Sequence, residues 1–391
     1  MLDDVLIKIL SLMPAKDAVA TSGIATRWKY LWRNLRQLNF DGSETFRDKI
    51  DLADVVKSES EKFINQVNSV IRSYNHLTVS DFRIRYGLNH NHQTNIHDWL
   101  QFAVRKKVEF LELDLTGLYG YMYSNGEPFD FPTVVVLHYL KKLILKRLNV
   151  TEVIFHKFLK NSPNLEMISI HDPLYLDDII IGGECRNLRH LEIVDAYKYA
   201  KSIYLSDLDL LSFTFKGYYI DLLFARLSKL KELDLDVVRL NINNVFRQIS
   251  LCALSLESLS ITVKKPEVRR ILKLESVPVL PNLKKLRLAV GGGGNECFLF
   301  LPSVINACPN LETFSIKKES NRCNPQKHLR LIEIVEYKGR KCDFELAAYI
   351  IQSAVALKKV VISIVRERMK ARSSAERIKS IKPQDVELVI V

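Results

Sequence analysis

Two short motifs in the sequence contain residue types that can do chemistry. His90, His92 and His97 lie close together next to Asp98, and imidazoles with a carboxylate can bind a metal ion. The glycine run at 291–295 belongs to a loop type that can hold a phosphate group. However, the histidines have no cysteine or second carboxylate at ligand spacing, and no Gly-Lys-Ser/Thr follows the glycines. We therefore predict a polar loop for the histidines, a flexible loop between repeats for the glycines, and no metal or other cofactor.

A nucleophilic active site is not indicated either. The sequence has no G-x-S-x-G motif, and its cysteines are scattered, with no C-x-x-C pair. They stand at positions 185, 252, 297, 308, 323 and 342. Free thiols are typical of a reducing compartment, so we predict a cytoplasmic or nuclear protein. The acidic start does not match a secretory signal, and no apolar run of about 18 residues predicts a membrane span.

A repeated apolar pattern occupies most of the chain and must form the framework for any site. The pattern is L-x-x-L-x-L with conservative substitutions, as in YLKKLILKRL and LPNLKKLRLAV. Its first positions are Leu140, Leu165, Leu188, Leu208, Leu230, Leu256, Leu283 and Leu311. The intervals of 20 to 28 residues are typical of leucine-rich repeats. This pattern predicts a solenoid in which parallel strands stack, with helical or irregular segments on the other face of the sheet.

An insertion interrupts the repeats near their start. An earlier copy begins at Val108, and residues 117–132 separate it from the next. The insertion carries the aromatic residues Tyr119, Tyr121, Tyr123 and Phe129. Long loops in a solenoid often bind partners, but a loop of this kind can also simply cover the first repeats. The sequence leaves these two alternatives open.

Side-chain alternation along each strand predicts which residues face solvent on the sheet. Leu233 and Leu235 point into the core, so Asp234 and Asp236 point outward. The same argument gives a set of candidate binding residues: Glu112, Asp114, His171, Glu192, Asp234, Asp236 and Arg287. Acidic residues outnumber basic ones on this face, which argues against nucleic acid lying along it. A protein ligand or a solvated sheet suits such a face.

Much of the positive charge lies near the C-terminus. The formal net charge is +12, and residues 358–382 hold nine Lys or Arg against two Glu, a net of +7. This stretch either contacts nucleic acid or an acidic partner, or it is a solvated helix face. The last seven residues, DVELVIV, predict a final strand.

The first forty residues do not carry the repeat and predict three short helices. The first holds apolar residues at helical spacing and stops at Pro14, Asp17 caps the second, and RWKYLWRNL forms the third. Helices this short bury little surface. Because the segment is rich in apolar residues for its size, we expect it to present them to a partner.

Three parts of the chain carry a family resemblance. DDVLIKILSLMPAKDAVATSGIATRWKYLW resembles the F-box, IHDWLQFAVRKKVEFLELDL followed by the repeats looks like the plant F-box/LRR family, and HLRLIEIVEYKGRKCDFELAAYIIQSAVALKKVVI resembles the FBD domain. The resemblance implies an α/β chain in four parts. These are an F-box at 1–40, a helical connector and entry to the solenoid at 41–107, leucine-rich repeats at 108–327, and an FBD-like C-terminal region at 328–391 that closes the solenoid.

The same resemblance implies a function without catalysis. Such a chain is the substrate-recognition subunit of an SCF-type ubiquitin ligase: its F-box contacts a Skp-type adaptor, and through it a cullin, and its repeats hold a protein target. The residues implied in adaptor docking, or in supporting it, are Leu2, Val5, Leu6, Ile9, Leu12, Pro14, Trp28, Leu31 and Trp32. No catalytic residue, cofactor, metal, membrane or nucleic acid is implied.

The chain departs from the family at two places. Met1 and Leu2 stand where the F-box usually has Leu-Pro, and Gly23 to Thr26 replace the usual apolar pair and Ser-Lys before Arg-Trp. Two alternatives stay open, the first because of these departures and the second because of the basic charge near the C-terminus. One is a repeat scaffold whose F-box no longer binds the adaptor, and the other is a binder of nucleic acid or an acidic partner through the basic C-terminal stretch.

Overall fold

The computed structural model of the chain is an α/β structure with a large parallel sheet. It describes residues 3–13, 15–21, 31–43, 53–116, 129, 136–148, 150–173, 176–196, 201–218, 221–239, 242–264, 277–290, 301–317, 329–337, 339, 344, 347–348, 350–351, 354, 356–364 and 369–391. These fall into two compact units. Unit 1 comprises Met1–Asp177, Gly183–Leu188 and Glu192–Tyr199, and unit 2 comprises Asp178–Gly182, Arg189–Leu191 and Ala200–Val391.

Short strands outnumber helices in the described residues. The helices are α1 (Asp3–Leu10), α2 (Ala15–Ala20), α3 (Ala53–Ser73), α4 (Gln93–Arg105), α5 (Glu152–Lys160), α6 (Ile242–Ile249), α7 (Leu301–Asn306) and α8 (Met369–Glu376). The strands are β1 (Gln37–Asp41), β2 (Asp81–Arg85), β3 (Phe110–Asp114), β4 (Lys142–Lys146), β5 (Met167–His171), β6 (Asp178–Ile181), β7 (His190–Ala196), β8 (Ser202–Ser206), β9 (Ser212–Gly217), β10 (Asp221–Ala225), β11 (Glu232–Val237), β12 (Ser258–Val263), β13 (Lys285–Val290), β14 (Thr313–Lys317), β15 (Leu331–Tyr337), β16 (Lys359–Ile364) and β17 (Glu387–Ile390).

In unit 1 the strands β1 to β5 are parallel and neighbour one another in chain order. The predicted copy at Val108 forms β3, with Leu111 and Leu113 buried. Two further copies of the pattern precede it and were missed in the sequence. They are Leu35-x-x-Leu38-x-Phe40 in β1 and Val79-x-x-Phe82-x-Ile84 in β2, all buried. Their spacing is irregular because the long helix α3 lies between them.

Helices α3 and α4 are joined by a buried polar contact. The indole of Trp99 is almost fully buried, and its Nε1 donates a hydrogen bond of 2.8 Å to Asn68 Oδ1. The indole N–H is the one polar group of this large ring, and burying it without a hydrogen bond would cost free energy. The connector predicted at 41–107 therefore contains two packed helices and also strand β2 of the sheet.

Unit 2 contains the parallel run β9-β11-β12-β13-β14-β15-β16-β17 and a separate three-stranded sheet, β10-β8-β6. The expected final strand is present as β17. The register corrects one predicted repeat: Phe213 aligns with Leu233, which makes Leu210, and not Leu208, the counterpart of Leu230. Leu208 and Leu210 are both leucines and both buried, so the apolar pattern does not show which of them begins the repeat.

Asparagines link successive repeats at equivalent positions. Each stands one residue before the first leucine of its repeat, and its Nδ2 donates to a backbone carbonyl two residues before the first leucine of the preceding repeat. The bonds are Asn164 to His138 (2.7 Å), Asn187 to Pro163 (3.0 Å), Asn282 to Leu254 (2.6 Å) and Asn310 to Pro281 (2.7 Å). The recurrence of PNL in the sequence therefore has a physical cause, because this bond satisfies a carbonyl that no strand reaches.

The cysteines that the structure describes, Cys185, Cys252 and Cys308, are buried free thiols. Burial raises the pKa of Cys185 to about 11 and the pKa values of Cys252 and Cys308 to about 12. The thiols therefore remain protonated and unreactive at neutral pH. Cys297, Cys323 and Cys342 lie outside the described residues. Among the described helices, none combines the length and the apolar character needed to cross a membrane.

Candidate functional sites

Helix α1 has two apolar faces, and only one of them is buried. Leu6 and Leu10, one turn apart, are buried, and the helix packs on the 3-10 turn Leu31–Asn34. Val5 and Ile9, also one turn apart, are 44% and 40% exposed, and Leu12 in the turn that follows is 79% exposed. A helix that packs only against its own domain needs one apolar stripe. The second stripe, Val5, Ile9 and Leu12, is therefore available to a partner.

The other residues expected in this site divide into two groups. Leu31 and Trp32 are buried, and the Arg33 guanidinium lies 5.5 Å from the centre of the Trp32 ring, so these residues support the module from inside. Leu2, Pro14, Trp28 and the segment 23–26 lie outside the described residues. The capping role predicted for Asp17 is wrong, because α2 begins at Ala15 and Asp17 lies in its first turn.

Charged residues on the sheet of unit 1 form a continuous network across β1 to β4. Arg85 donates two hydrogen bonds to Glu112, from Nε to Oε1 and from Nη2 to Oε2, each 3.1 Å. Arg85 Nη1 also lies 3.4 Å from Asp41 Oδ2. Lys146 Nζ lies 3.5 Å from Glu112 Oε1 and 2.9 Å from Asp114 Oδ2. We call Asp41, Arg85, Glu112, Asp114 and Lys146 the charge ladder.

The charge ladder corrects the expected exposure of two candidate residues. Glu112 and Asp114 project from the predicted face, but they are only 3% and 8% exposed. The physical reason is that Arg85 and Lys146 lie over their carboxylates and exclude water from them. Paired and buried carboxylates of this kind hold neighbouring strands together and have little left to offer to a ligand.

The pKa values within the charge ladder follow this pairing. Burial by itself raises the pKa of the Asp41 carboxyl, but hydrogen bonds from Ser43 and Arg85 outweigh it and the pKa is lowered. Burial likewise lowers the pKa of Lys146, but the hydrogen bond to Asp114 and the charges of Asp114 and Glu112 raise it overall. The hydrogen bond to Glu112 raises the pKa of Arg85. All of these shifts stabilise the charged forms.

Next to the charge ladder lies a smaller polar group. Ser169 Oγ donates 2.7 Å to Glu192 Oε2 and lies 2.9 Å from His171 Nε2. His171 Nε2 is 4.0 Å from Glu192 Oε2. Burial lowers the pKa of His171, and the charge of Glu192 opposes this only in part. In a Ser-His-acid triad the histidine lies between the serine and the acid. Here the serine lies between the histidine and the acid, so the geometry is not that of a triad.

The partly buried histidines predict a pH dependence of stability. Burial lowers the pKa values of His171 and His92 below 6.5, so the unfolded chain binds more protons than the folded one below that pH. We expect the free energy of unfolding, measured by urea denaturation, to fall as pH drops from 7 to 5. His171→Asn and His92→Asn should each flatten this slope. The exposed His156 on α5 provides the control variant His156→Asn, which should keep the wild-type slope. Equal slopes in all four proteins would contradict the prediction.

On the sheet of unit 2, unlike in the charge ladder, some charged side chains have no ion-pair partner among the described residues. Asp234 on β11 pairs with Thr214 on β9 and with Ser260 on β12. Ser260 in turn pairs with Arg287 on β13. Asp236 Oδ1 lies 3.1 Å from Lys264 Nζ. In the described part of the chain, Asp234 and Arg287 make no ion pair. Among the described residues, this part of the face thus combines a paired acid, Asp236, with an unpaired acid, Asp234, and an unpaired base, Arg287.

The polar loop predicted for the histidines is wrong, because His90 and His92 lie in a 3-10 turn and His97 lies in helix α4. The backbone N–H of Asn89 donates 3.4 Å to His92 Nδ1, and the N–H of Asn91 donates 3.2 Å to Asn89 Oδ1, so this segment caps the turn before α4. Within the described ranges no three His, Cys, Asp or Glu side chains come together as metal ligands. The glycine run 291–295 and the aromatic insertion, except Phe129, lie outside those ranges.

Part of the basic C-terminal stretch is tied to the rest of unit 2. Arg377 lies over the Phe344 ring at 4.5 Å from its centre, and Lys359 Nζ lies 3.1 Å from Glu387 Oε2. Lys358, Arg372 and Lys379 are exposed. Cations that are partly engaged within the fold resemble a solvated face more than a continuous phosphate-binding track.

Comparison with known proteins agrees with this architecture. The model of the "At1g61320/AtMIF1, LRR domain" matches residues 129–327, just over half of the chain. The F-box domain model matches residues 1–39, and the FBD model matches residues 325–362. The chain is therefore a leucine-rich-repeat protein with an N-terminal F-box. It belongs to the plant F-box/FBD/LRR-repeat family.

Relatives from Arabidopsis thaliana match along nearly their whole length. The F-box/FBD/LRR-repeat protein At5g22700 is 23% identical over 92% of this chain and 90% of its own. At1g78750, of the same description, is 22% identical over 93% and 88%, and At4g26340 is 24% identical over 91% and 90%. The order of F-box, repeats and FBD was correctly predicted from the sequence.

Proposed function

We propose that this protein is the substrate-recognition subunit of an SCF-type ubiquitin ligase. The exposed apolar stripe of α1, Val5, Ile9 and Leu12, carries the proposal, because it lies in the module that the F-box model matches. An F-box implies a Skp-type adaptor and, through it, a cullin. Each apolar side chain of the stripe contributes about 1.5–3 kcal/mol when fully buried in an interface.

The chain supplies binding and no catalytic residue in this proposal. The F-box attaches it to the ligase, and the repeat face holds a protein target. Because the chain holds the ligase and the target together, the transfer of ubiquitin by other subunits becomes effectively intramolecular. This raises the local concentration of the target without a reactive group on this chain. The buried protonated thiols suit a reducing compartment, so we place the protein in the cytoplasm or nucleus.

We also propose a revised division of the chain. The pattern and the strand pairing of β1 and β2 continue into β3, which favours a repeat array that begins at Leu35. In this division the end of the segment 1–40 already belongs to the sheet, because it forms most of strand β1. The connector 41–107 contains the second repeat, whose strand is β2. The FBD-like region 328–391 contributes β15, β16 and β17.

The direct test is adaptor binding by the full chain. We expect isothermal titration with a purified plant Skp-type adaptor to give a dissociation constant of about 1 µM or lower, equivalent to about −8 kcal/mol. The absence of heat or of a stable complex at about 100 µM, where even −5.5 kcal/mol of binding is detectable, would contradict the proposal. That result would support a repeat scaffold with a degenerate F-box, which Met1 and Leu2 at the Leu-Pro positions favour.

A further inference from the structure

We propose that target recognition is carried by one row of side chains on the sheet of unit 2, and that the target presents a basic and an acidic side chain about 10 Å apart to it. The inference rests on the function proposed above. The residues, here called the Asp234 row, are Thr214, Asp234, Ser260, Arg287 and Ser315. They occupy matching positions on β9, β11, β12, β13 and β14.

The register sets the geometry of the Asp234 row. Asp234 pairs with Thr214 on one side and Ser260 on the other, and Ser260 pairs with Arg287. Neighbouring strands are about 4.8 Å apart, so the carboxylate and the guanidinium project from positions separated by about 10 Å. Both sit between buried leucines of their strands, Leu233 and Leu235 for Asp234, and Leu286 and Leu288 for Arg287. This packing fixes the direction of each side chain.

The pairing state of the charges separates the Asp234 row from the charge ladder. In the charge ladder each carboxylate already accepts hydrogen bonds from Arg85 or Lys146. A ligand would have to replace those bonds and gains little. Throughout the described residues, Asp234 and Arg287 have neither a charged partner nor a side-chain hydrogen bond. A ligand that pairs with them adds new charge-assisted bonds, which are among the stronger polar contacts.

The surroundings of the two charges favour a ligand of mixed charge. Asp234 is partly buried between two hydroxyl groups, whereas Arg287 is exposed between Ser260 and Ser315. The hydroxyls can donate or accept, so they suit either sign of neighbouring charge. The next acid along β11, Asp236, belongs to a different row, and Lys264 already forms an ion pair with it.

Charge complementarity therefore identifies a polypeptide segment that carries both signs. The Asp234 row has one acid and one base, and the register continues it on β15 with a second acid, Glu333, next to Ser315. A polyanion such as nucleic acid would therefore meet carboxylates on both sides of Arg287 as repulsive groups. A segment with only basic side chains would meet Arg287 in the same way. A segment with a Lys or Arg and an Asp or Glu about 10 Å apart satisfies both.

The probe is a phage-displayed library of random peptides, selected on the immobilised full-length chain. The enriched peptides are then synthesised and titrated by fluorescence anisotropy against the wild type and single variants. We expect the enriched peptides to carry both charge signs and Asp234→Asn and Arg287→Gln each to weaken binding about tenfold or more. Matched controls are Arg372→Gln and Glu376→Gln, exposed charges on α8. These should leave the affinity unchanged, and thermal melts should show that all variants are folded.

A charge exchange makes the test specific. The double variant Asp234→Lys/Arg287→Glu should bind a peptide with its two charges exchanged better than the parent peptide. Failure to enrich any peptide, enrichment of peptides of one sign, or equal affinity for wild type and row variants would overturn the inference. A stretch of double-stranded DNA that binds through Arg287 alone would also overturn it. Because adaptor is absent from this assay, its outcome is independent of the F-box test.

Discussion

Replacing Val5 and Leu12 together by aspartate is expected to weaken adaptor binding by at least about 100-fold. The change removes two apolar side chains that are 44% and 79% exposed. Because full burial of an exposed side chain contributes about 1.5–3 kcal/mol, the surface that these two still expose is worth about 2–4 kcal/mol together. A loss of about 2.7 kcal/mol already gives 100-fold. The new carboxylates would also have to be desolvated at the interface. The fold should tolerate the change, because Val5 lies in the first turn of α1, where an acid is favourable, and Leu12 follows the helix.

The control for this prediction is Leu77→Asp. Leu77 is 84% exposed, close to the 79% of Leu12, and it lies in the loop between α3 and β2, outside the segment that the F-box model matches. It should bind the adaptor as the wild type does. Leu6→Ala is a second comparison: because Leu6 is buried, this variant should lower the thermal midpoint as well as adaptor binding. Wild-type affinity in the folded double variant would show that the exposed stripe is not the docking surface.

The second large effect concerns the charge ladder. Arg85→Ala should reduce the free energy of unfolding by about 2–3 kcal/mol, because among the described residues it leaves the buried Glu112 carboxylate with Lys146 as its one remaining cation. We place the effect below the 3–5 kcal/mol typical of fully buried pairs, since about a third of the Arg85 side chain is exposed. Urea denaturation monitored by circular dichroism gives the measurement.

A double variant separates charge burial from loss of packing. Arg85→Leu/Glu112→Leu removes both charges and should be more stable than Arg85→Ala, because no buried carboxylate is left unpaired. Lys141→Ala provides the matched exposed pair. Its partner Glu109 is 2.8 Å away and both side chains are 51% exposed, so solvent screens the pair and the loss should be much smaller than in Arg85→Ala. A loss in Arg85→Ala no larger than in Lys141→Ala would contradict a structural role for the ladder.

These predictions divide the charges of the repeat face into two kinds. From the sequence, one set of side chains is predicted to be available for binding: Glu112, Asp114, His171, Glu192, Asp234, Asp236 and Arg287. In the structure, Glu112 and Asp114 support the sheet, Asp236 pairs with Lys264, and Asp234 and Arg287 remain without charged partners in the described residues. The distinction matters for mutagenesis, because changes in the first group affect stability and changes in the second test recognition.

The first repeats show where pattern analysis reached its limit. Copies at Leu35 and Val79 follow the same rule as the later ones, and their apolar residues are equally buried. The copy at Leu35 was missed because helix α3 separates it from the next copy, and the copy at Val79 was missed because it carries Val, Phe and Ile in place of the leucines. The Leu208 assignment failed for a related reason: adjacent leucines fit the pattern in two registers, and only pairing with β11 selects Leu210.

The class of fold, the order of its parts and the alternation of buried and outward side chains could be predicted without the structure. These follow from local rules, because a strand buries every second residue and a helix every third or fourth. Tertiary structure alone decided which charges are neutralised. The ladder pairs join residues 27, 32 and 44 positions apart, and such distances close only when parallel strands stack in one particular register. It also decided which apolar face of α1 is left for a partner, because the 3-10 turn at 31–34 covers Leu6 and Leu10 and leaves Val5, Ile9 and Leu12 exposed.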